Sequence, residues 1–278
     1  MILFQIFIKE REDLEVFSIA IVTIFGLIFG SFLGMLVYRL PLEISLINPK
    51  RSYCPKCDHQ IQWYENIPIF SYFFLRGSCS HCKTNISIKY LVIEFTTVVV
   101  TLLLYLKLGI NYQFFILLAL FYSLIVLSFI DLKYKAVPDY LLLFGLVVTI
   151  VYILLYEIEN IVTLFIFAGA IVILEMFVTF YIQNIKAKIV KDESLKVQKS
   201  LGEGDIPIFA IIGGILGVQL GMVAIFLSAI LAIIPSIINI MKKKENETPF
   251  IPFLSLGFII VFLGEFYILD IINMINGK

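Results

Sequence analysis

From residue 206 to residue 241 the chain runs for 36 residues without a charged side chain. A helix that crosses the hydrocarbon core of a bilayer needs roughly 20 apolar residues. The stretch is therefore too long for one ordinary crossing and too apolar for a water-exposed domain. Gly213, Gly214, Gly217 and Gly221 fall in its first half. Glycine lets a backbone turn where other residues resist, so the stretch should break near 217–221 into a short helix and a longer one. Composition points the same way: 60% of the residues are hydrophobic and 15% charged, against roughly 25% charged in a typical soluble domain. Lys+Arg 21 and Asp+Glu 21 cancel, which leaves no basic excess to attract a nucleic acid. A soluble enzyme, a disordered chain and a nucleic-acid binder are excluded. A polytopic, all-α membrane protein remains.

Other long apolar runs complete the count. Residues 16–38, 108–130 and 140–156 carry no charge; after Lys89, the run to 106 is interrupted only by Glu94, and 160–185 only by Glu175. Residues 248–264 are uncharged, and apolar character continues to Ile275. With 206–241 split, about eight transmembrane helices are expected. The first is expected to be retained rather than cleaved as a signal peptide: its apolar run is long, and Glu10, Glu12, Asp13 and Glu15 spoil a basic leading region. In this topology 17 of the 21 Lys and Arg residues face one side, in the loops 39–89, 131–139, 184–205 and 242–244. The positive-inside rule makes that side the cytoplasm and puts both termini outside. Three segments follow: 1–38 with the first helix, a cytoplasmic loop domain 39–89 between spans one and two, and a seven-helix domain 90–278.

The loop carries Cys54-x-x-Cys57 and Cys79-x-x-Cys82, with 21 residues between the pairs. Each pair can form a tight turn that aims two thiolates at one point, and two such turns make a tetrahedral site suited to zinc. A reducing cytosol argues against disulfides; unpaired thiols and a redox pair are the other readings. A loop of this size buries little apolar area alone, so the metal would be structural. His59 and His81 are expected on the loop surface. Ile61, Trp63, Tyr64, Ile67, Ile69, Phe70 and Tyr72 are expected either to pack on the membrane surface or to line a substrate path.

Carboxylates inside or bordering membrane helices are costly and often functional. Asp131 closes the third apolar run and Asp205 opens the sixth, so the topology brings both to the cytoplasmic border. Two neighbouring carboxylates can share a proton, one activating water while the other polarises a carbonyl, the logic of an aspartic protease. Gly202-Glu203-Gly204-Asp205 is a flexible turn running into a helix, where a substrate backbone can approach; the alternative is an Asp cap with turn glycines. Asp139, after Pro138, reads as a first-turn acid of the next helix. Glu94 and Glu175 read as buried carboxyls bonded to a neighbouring helix, or as ion carriers. If the third helix ends at Asp131, helix dipoles favour the charged form at Asp205 and oppose it at Asp131.

Several motifs in order resemble those of the type IV prepilin peptidases (leader peptidase/N-methyltransferases), GxGD-class intramembrane aspartic proteases. They are Gly30-Ser-Phe-Leu-Gly-Met-Leu-Val-Tyr-Arg-Leu-Pro41, Arg51-Ser-x-Cys-Pro-x-Cys57, Trp63-Tyr-Glu-Asn-Ile-Pro68, Leu75-Arg-Gly-x-Cys79, Ile86-Ser-x-x-Tyr90, Ile130-Asp-Leu-x-x-x-x-Val-Pro-Asp139, Gly202-Glu-Gly-Asp205 and Pro249-Phe-Ile-Pro-Phe253. Gly34, and Ile206-Pro207 after the second aspartate, depart from the family pattern. The resemblance implies Asp131 and Asp205 as the catalytic pair, Gly202 and Gly204 as the glycines shaping substrate approach, and Cys54, Cys57, Cys79 and Cys82 as zinc ligands. It implies cleavage of the leader from type IV prepilins or pseudopilins at the cytoplasmic face of the bacterial inner membrane, followed by N-methylation with S-adenosylmethionine. No glycine-rich cofactor fingerprint is visible; Gly77 and residues 63–68 are the candidates for that second activity. A peptidase-only protein with the loop as a docking platform is the nearest alternative. An ion-coupled transporter is the more distant one, since no internal repeat is present.

Overall fold

In the computed structural model, residues 2–48, 51–190, 193, 202, 204–241 and 248–275 are described. Lys242–Lys244, counted above among the basic loop residues, and Glu203 lie outside them. Among the described residues there is no strand, only two isolated bridges, Tyr53–Gln60 and Ser78–Asn85. The chain divides into two compact units, Met1–Phe129 and Ile130–Lys278.

In the first unit, α1 (Ile2–Arg39) lies along α3 (Ile88–Leu108). Small residues make the contact possible: a Cβ on Gly30 would stand 2.8 Å from the Cα of Glu94, and one on Gly26 would stand 3.1 Å from that of Val98. Glycines four apart let two membrane helices approach to backbone contact. Between them sits the loop, which includes the five-residue helix α2 (Phe70–Phe74). Arg39 is buried where α1 ends and folds the start of the loop over itself. Its Nη1 donates to the carbonyls of Ser45 (2.9 Å) and Leu46 (3.3 Å), and its Nη2 to that of Arg51 (3.3 Å). α3 stops at Gly109 (φ 69°, ψ −171°), and α4 (Tyr112–Tyr134) follows, with Leu117, Leu120, Leu124, Leu127 and Ile130 fully buried.

The second unit contains the end of α4, then α5 (Asp139–Tyr156) and α6 (Ile161–Phe180). A π-helical turn (Tyr181–Lys186) and the short α7 (Ala187–Val190) carry α6 onward. α8 (Asp205–Met241), α9 (Ile251–Leu263) and α10 (Glu265–Ile275) complete it. α8 is two helices. At Gly217 the backbone takes φ 69°, ψ −171°, a region essentially confined to glycine and the same conformation that ends α3. The chain folds back there: a Cβ on Gly221 would lie 3.7 Å from the Cα of Gly213, eight residues earlier, and 2.7 Å from the ring of Phe167 on α6. Thr163 donates to the Gly213 carbonyl at 2.8 Å, where the first arm is ending and its carbonyls lack helical partners.

Six described helices are long and apolar enough to cross a membrane, and a seventh span is formed if α9 and α10, bent by 77° at Gly264, count as one. The eighth expected span is the first arm of α8, which the break at Gly217 does separate but which is short. The run from 248 to 275, read from sequence as one span, is bent because Gly264 ends α9 and Glu265 starts a new helix.

Candidate functional site

Asp131 lies in the last turn of α4 and is 8% exposed; Asp205 is the first residue of α8 and is 6% exposed. Both belong to the second unit, and Ile251 links their surroundings. Its backbone N–H donates to Asp131 Oδ2 at 3.2 Å, and its side-chain Cδ1 lies 3.7 Å from where a Cβ on Gly204 would stand. Asp205 is within charge–charge range of Asp131 and of Glu175 on α6. The two aspartates, 74 residues apart in sequence, thus share one buried neighbourhood.

The helix-dipole expectation for Asp131 loses its premise. α4 does not end there but runs on to Tyr134, with the Lys135 amide bonded to the Asp131 carbonyl at 2.9 Å. What addresses the carboxylate is the first amide of α9, and helix N-termini present free N–H groups to anions. Ile251 was missed from sequence as a site residue because any residue type supplies an N–H; the only signal was the Pro249–Phe253 motif around it.

The glycines before Asp205 differ in their surroundings. Gly204 is tightly enclosed, since a Cβ there would meet Val137 Cγ2 at 2.7 Å. Gly202 is exposed, and its nearest neighbour would be Asp205 Oδ2 at 3.6 Å. Its carbonyl accepts from the Asp205 amide at 3.0 Å. Asp139 is exposed in the first turn of α5, as its position after Pro138 implies. Pro207, in the first turn of α8, sits where a missing N–H costs nothing.

In the first unit the four cysteines converge, with all four sulfurs within 4.8 Å of one another. They do so through two turns with the same backbone. The Cys54 amide donates to the His59 carbonyl (2.9 Å) and the Asp58 amide to the Cys54 carbonyl (2.9 Å). The Cys79 amide donates to the Thr84 carbonyl (2.9 Å) and the Lys83 amide to the Cys79 carbonyl (3.1 Å). Asp58 and Lys83, equivalent in the two turns, both have positive φ, and the bridges Tyr53–Gln60 and Ser78–Asn85 close each turn at equivalent positions. Four thiolates around one ion at a Zn–S length of about 2.3 Å stand about 3.8 Å apart, and Cys54 Sγ to Cys82 Sγ is 3.8 Å. The donor set fits zinc.

The thiols hold their protons unequally. Hydrogen bonding with the Thr84 hydroxyl, then with its backbone, draws Cys82 down to about 6. Cys57 is pushed up to about 12: the His59 backbone pulls it the other way, but burial and hydrogen bonds with the other three cysteines prevail. His59 and His81 stack on each other at 5.1 Å beside the cluster and are not among its ligands. Glu65 braces the arrangement, held below the usual carboxylate range by Ser80 and the Gln62 amide, and by His59. Gly77 has a structural role: at φ 63° it packs against the ring of Tyr72, where a Cβ would lie 3.0 Å away.

Glu94 is bonded, but not to a neighbouring helix. Its Oε2 accepts from the backbone amide of Ile69, in the loop, at 2.7 Å.

Comparison with known proteins agrees with these features. Residues 24–108 match the bacterial peptidase A24 N-terminal domain, and residues 118–237 match the type IV leader peptidase family. A prepilin leader peptidase/N-methyltransferase of Vibrio cholerae is 29% identical over 90% of this chain and 98% of its own length. One of Bacillus subtilis is 29% identical over 93% of this chain and 100% of its own. One of Myxococcus xanthus is 38% identical over 41% of this chain and 34% of its own. No solved structure gives a significant match. Two family models in consecutive order, and relatives that run nearly end to end, settle the membership: the chain is a multi-pass membrane endopeptidase of the type IV leader peptidase family.

Proposed function

We propose that the protein cleaves the leader from type IV prepilins or pseudopilins at the cytoplasmic face of the inner membrane, using Asp131 and Asp205 as its catalytic pair. The observation that carries this reading is the burial of both carboxyls around Ile251, in a segment otherwise made of apolar helices. With one proton between them, the ionised aspartate takes a proton from water. The other donates a hydrogen bond to the scissile carbonyl oxygen and stabilises the charge that develops there. The amide of Ile251 fixes the Asp131 carboxyl, and Gly202 leaves room beside Asp205 for a substrate backbone. The 17-to-4 distribution of basic residues supports placing this border at the cytoplasm.

Cys54, Cys57, Cys79 and Cys82 would hold zinc, which supplies folding energy to the 39–89 domain. The relatives' names support a second activity, N-methylation of the new amino terminus with S-adenosylmethionine. Purified protein incubated with a prepilin and a methyl-labelled donor tests both: a shortened product carrying label is expected. Asp131→Asn and Asp205→Asn should each leave the precursor intact, and near-normal cleavage by either would remove the dyad.

A further inference from the structure

We propose that α2 and its flanks are seated in the lipid bilayer, with Phe70, Phe73 and Phe74 in the boundary between headgroups and acyl chains. This does not depend on what the protein cleaves. The three residues are 56%, 67% and 85% exposed, so the described chain leaves more than half of each uncovered. Their depth follows from one bond. α3 is 21 residues long, about 31 Å, the thickness of a hydrocarbon core. Glu94 lies six residues past Ile88, about 9 Å along the axis, and its carboxylate holds the amide of Ile69 at 2.7 Å. The residue just before α2 is thereby pinned beside the first two turns of a membrane span, not above it.

Local geometry supports the same placement. Ile69 has φ 64°, ψ −53°, a conformation that is strained for a β-branched residue and persists only where its surroundings hold it. The turn directs its N–H toward α3 and leaves the three phenylalanines outward. Glu94 is itself fixed, with its backbone against Gly30 of α1. On α3 itself Val92 and Phe95, which flank Glu94 in sequence, are also exposed, at 44% and 61%. Arg76, two residues beyond Phe74, and Lys89, in the first turn of α3, are both exposed and supply positive charge suited to anionic headgroups. Aromatic rings bordered by basic side chains are the usual composition of a membrane interface.

The chain has a single tryptophan, Trp63, so a reporter can be moved. The full-length double variant Trp63→Phe, Phe74→Trp is placed in nanodiscs of phosphatidylcholine with a minority of phosphatidylglycerol. Acrylamide should quench the relocated indole roughly threefold less than free tryptophanamide, and a spin label near the lipid headgroup should quench it more than one near the chain end, as for a group buried about 5–10 Å into the boundary. Adding Glu94→Ala should raise acrylamide quenching by releasing the tether. Should that variant fail to fold, the reporter alone still decides. Quenching by acrylamide equal to the free compound with none by lipid labels would overturn the proposal. So would shielding that arises only when a prepilin segment is added, which would make α2 a substrate surface instead.

Discussion

The backbone amide of Ile251 reaches Asp131 Oδ2 across 3.2 Å and 120 residues of sequence. Because Ile251 is the first residue of α9, its N–H is not used by the helix and is free to serve the carboxyl. Proline lacks that N–H, though it also crowds the αR backbone of Phe250 (φ −102°, ψ −29°) and removes a buried side chain, so a backbone ester at 251 is the control that isolates the bond. Ile251→Pro should therefore cut the cleavage rate by about 10-fold or more, the order of one lost hydrogen bond to a charged group, while Ile251→Val stays near wild type. Single-turnover cleavage of a prepilin by the two variants makes the comparison, and equal rates would mean the bond is incidental.

Asp131→Asn and Asp205→Asn should each lower cleavage by roughly 10³–10⁴-fold, the scale of an acid–base group acting in a unit. Each variant should remain in the membrane at normal abundance. Asp139→Asn, at an exposed helix start, should be far milder. A shared proton also predicts a bell-shaped dependence of cleavage on pH whose two limbs belong to the pair rather than to either residue.

The two glycines of the Gly202–Asp205 segment should separate stability from activity. A methyl at Gly204 runs into Val137, so Gly204→Ala should destabilise by about 1–3 kcal/mol through overpacking. Val137→Ala should rescue it, a coupling that a double-mutant cycle of melting temperatures would read. Gly202→Ala meets nothing tighter than ordinary contact and should melt like wild type while raising KM for the prepilin.

Much of this was readable from residue order. The Cys-x-x-Cys spacing anticipated the convergence of four sulfurs, and the glycines of 206–241 anticipated the reversal at Gly217. The features that escaped are those carried by backbone atoms. The amides of Ile251 and Ile69, which hold Asp131 and Glu94, have no residue signature, because every residue but proline offers the same donor. The fit of Gly204 against Val137 was hidden for a related reason: a motif glycine reads as flexibility until a neighbour shows that the issue is space. The bend at Gly264 was overlooked because the run through Ile275 stays apolar on both sides of it.

Zinc should be present at one ion per chain by elemental analysis, and Cys57→Ser should lose it. A chelator should expose 53–86 to protease and impair methylation or docking more than peptide hydrolysis, since no ligand belongs to the aspartate pair. A metal-free protein whose loop stays protease-resistant would show that the fold does not need the ion.

The hairpin at Gly217 has unequal arms. The first, 205–216, is about 18 Å long and the second, 218–241, about 36 Å, yet both return toward the same side. The second stays apolar to its end, with Ile234, Ile238 and Met241 exposed. A bilayer thick enough to cover it leaves Asp205 sunk well beneath the lipid surface, unless the membrane pinches inward at the shorter arm. Either way the protein imposes a hydrophobic mismatch on its surroundings. If Asp205 serves the cleavage proposed above, the rate in reconstituted bilayers should change with acyl-chain length, because the position of one glycine sets how far that carboxyl lies from the lipid surface.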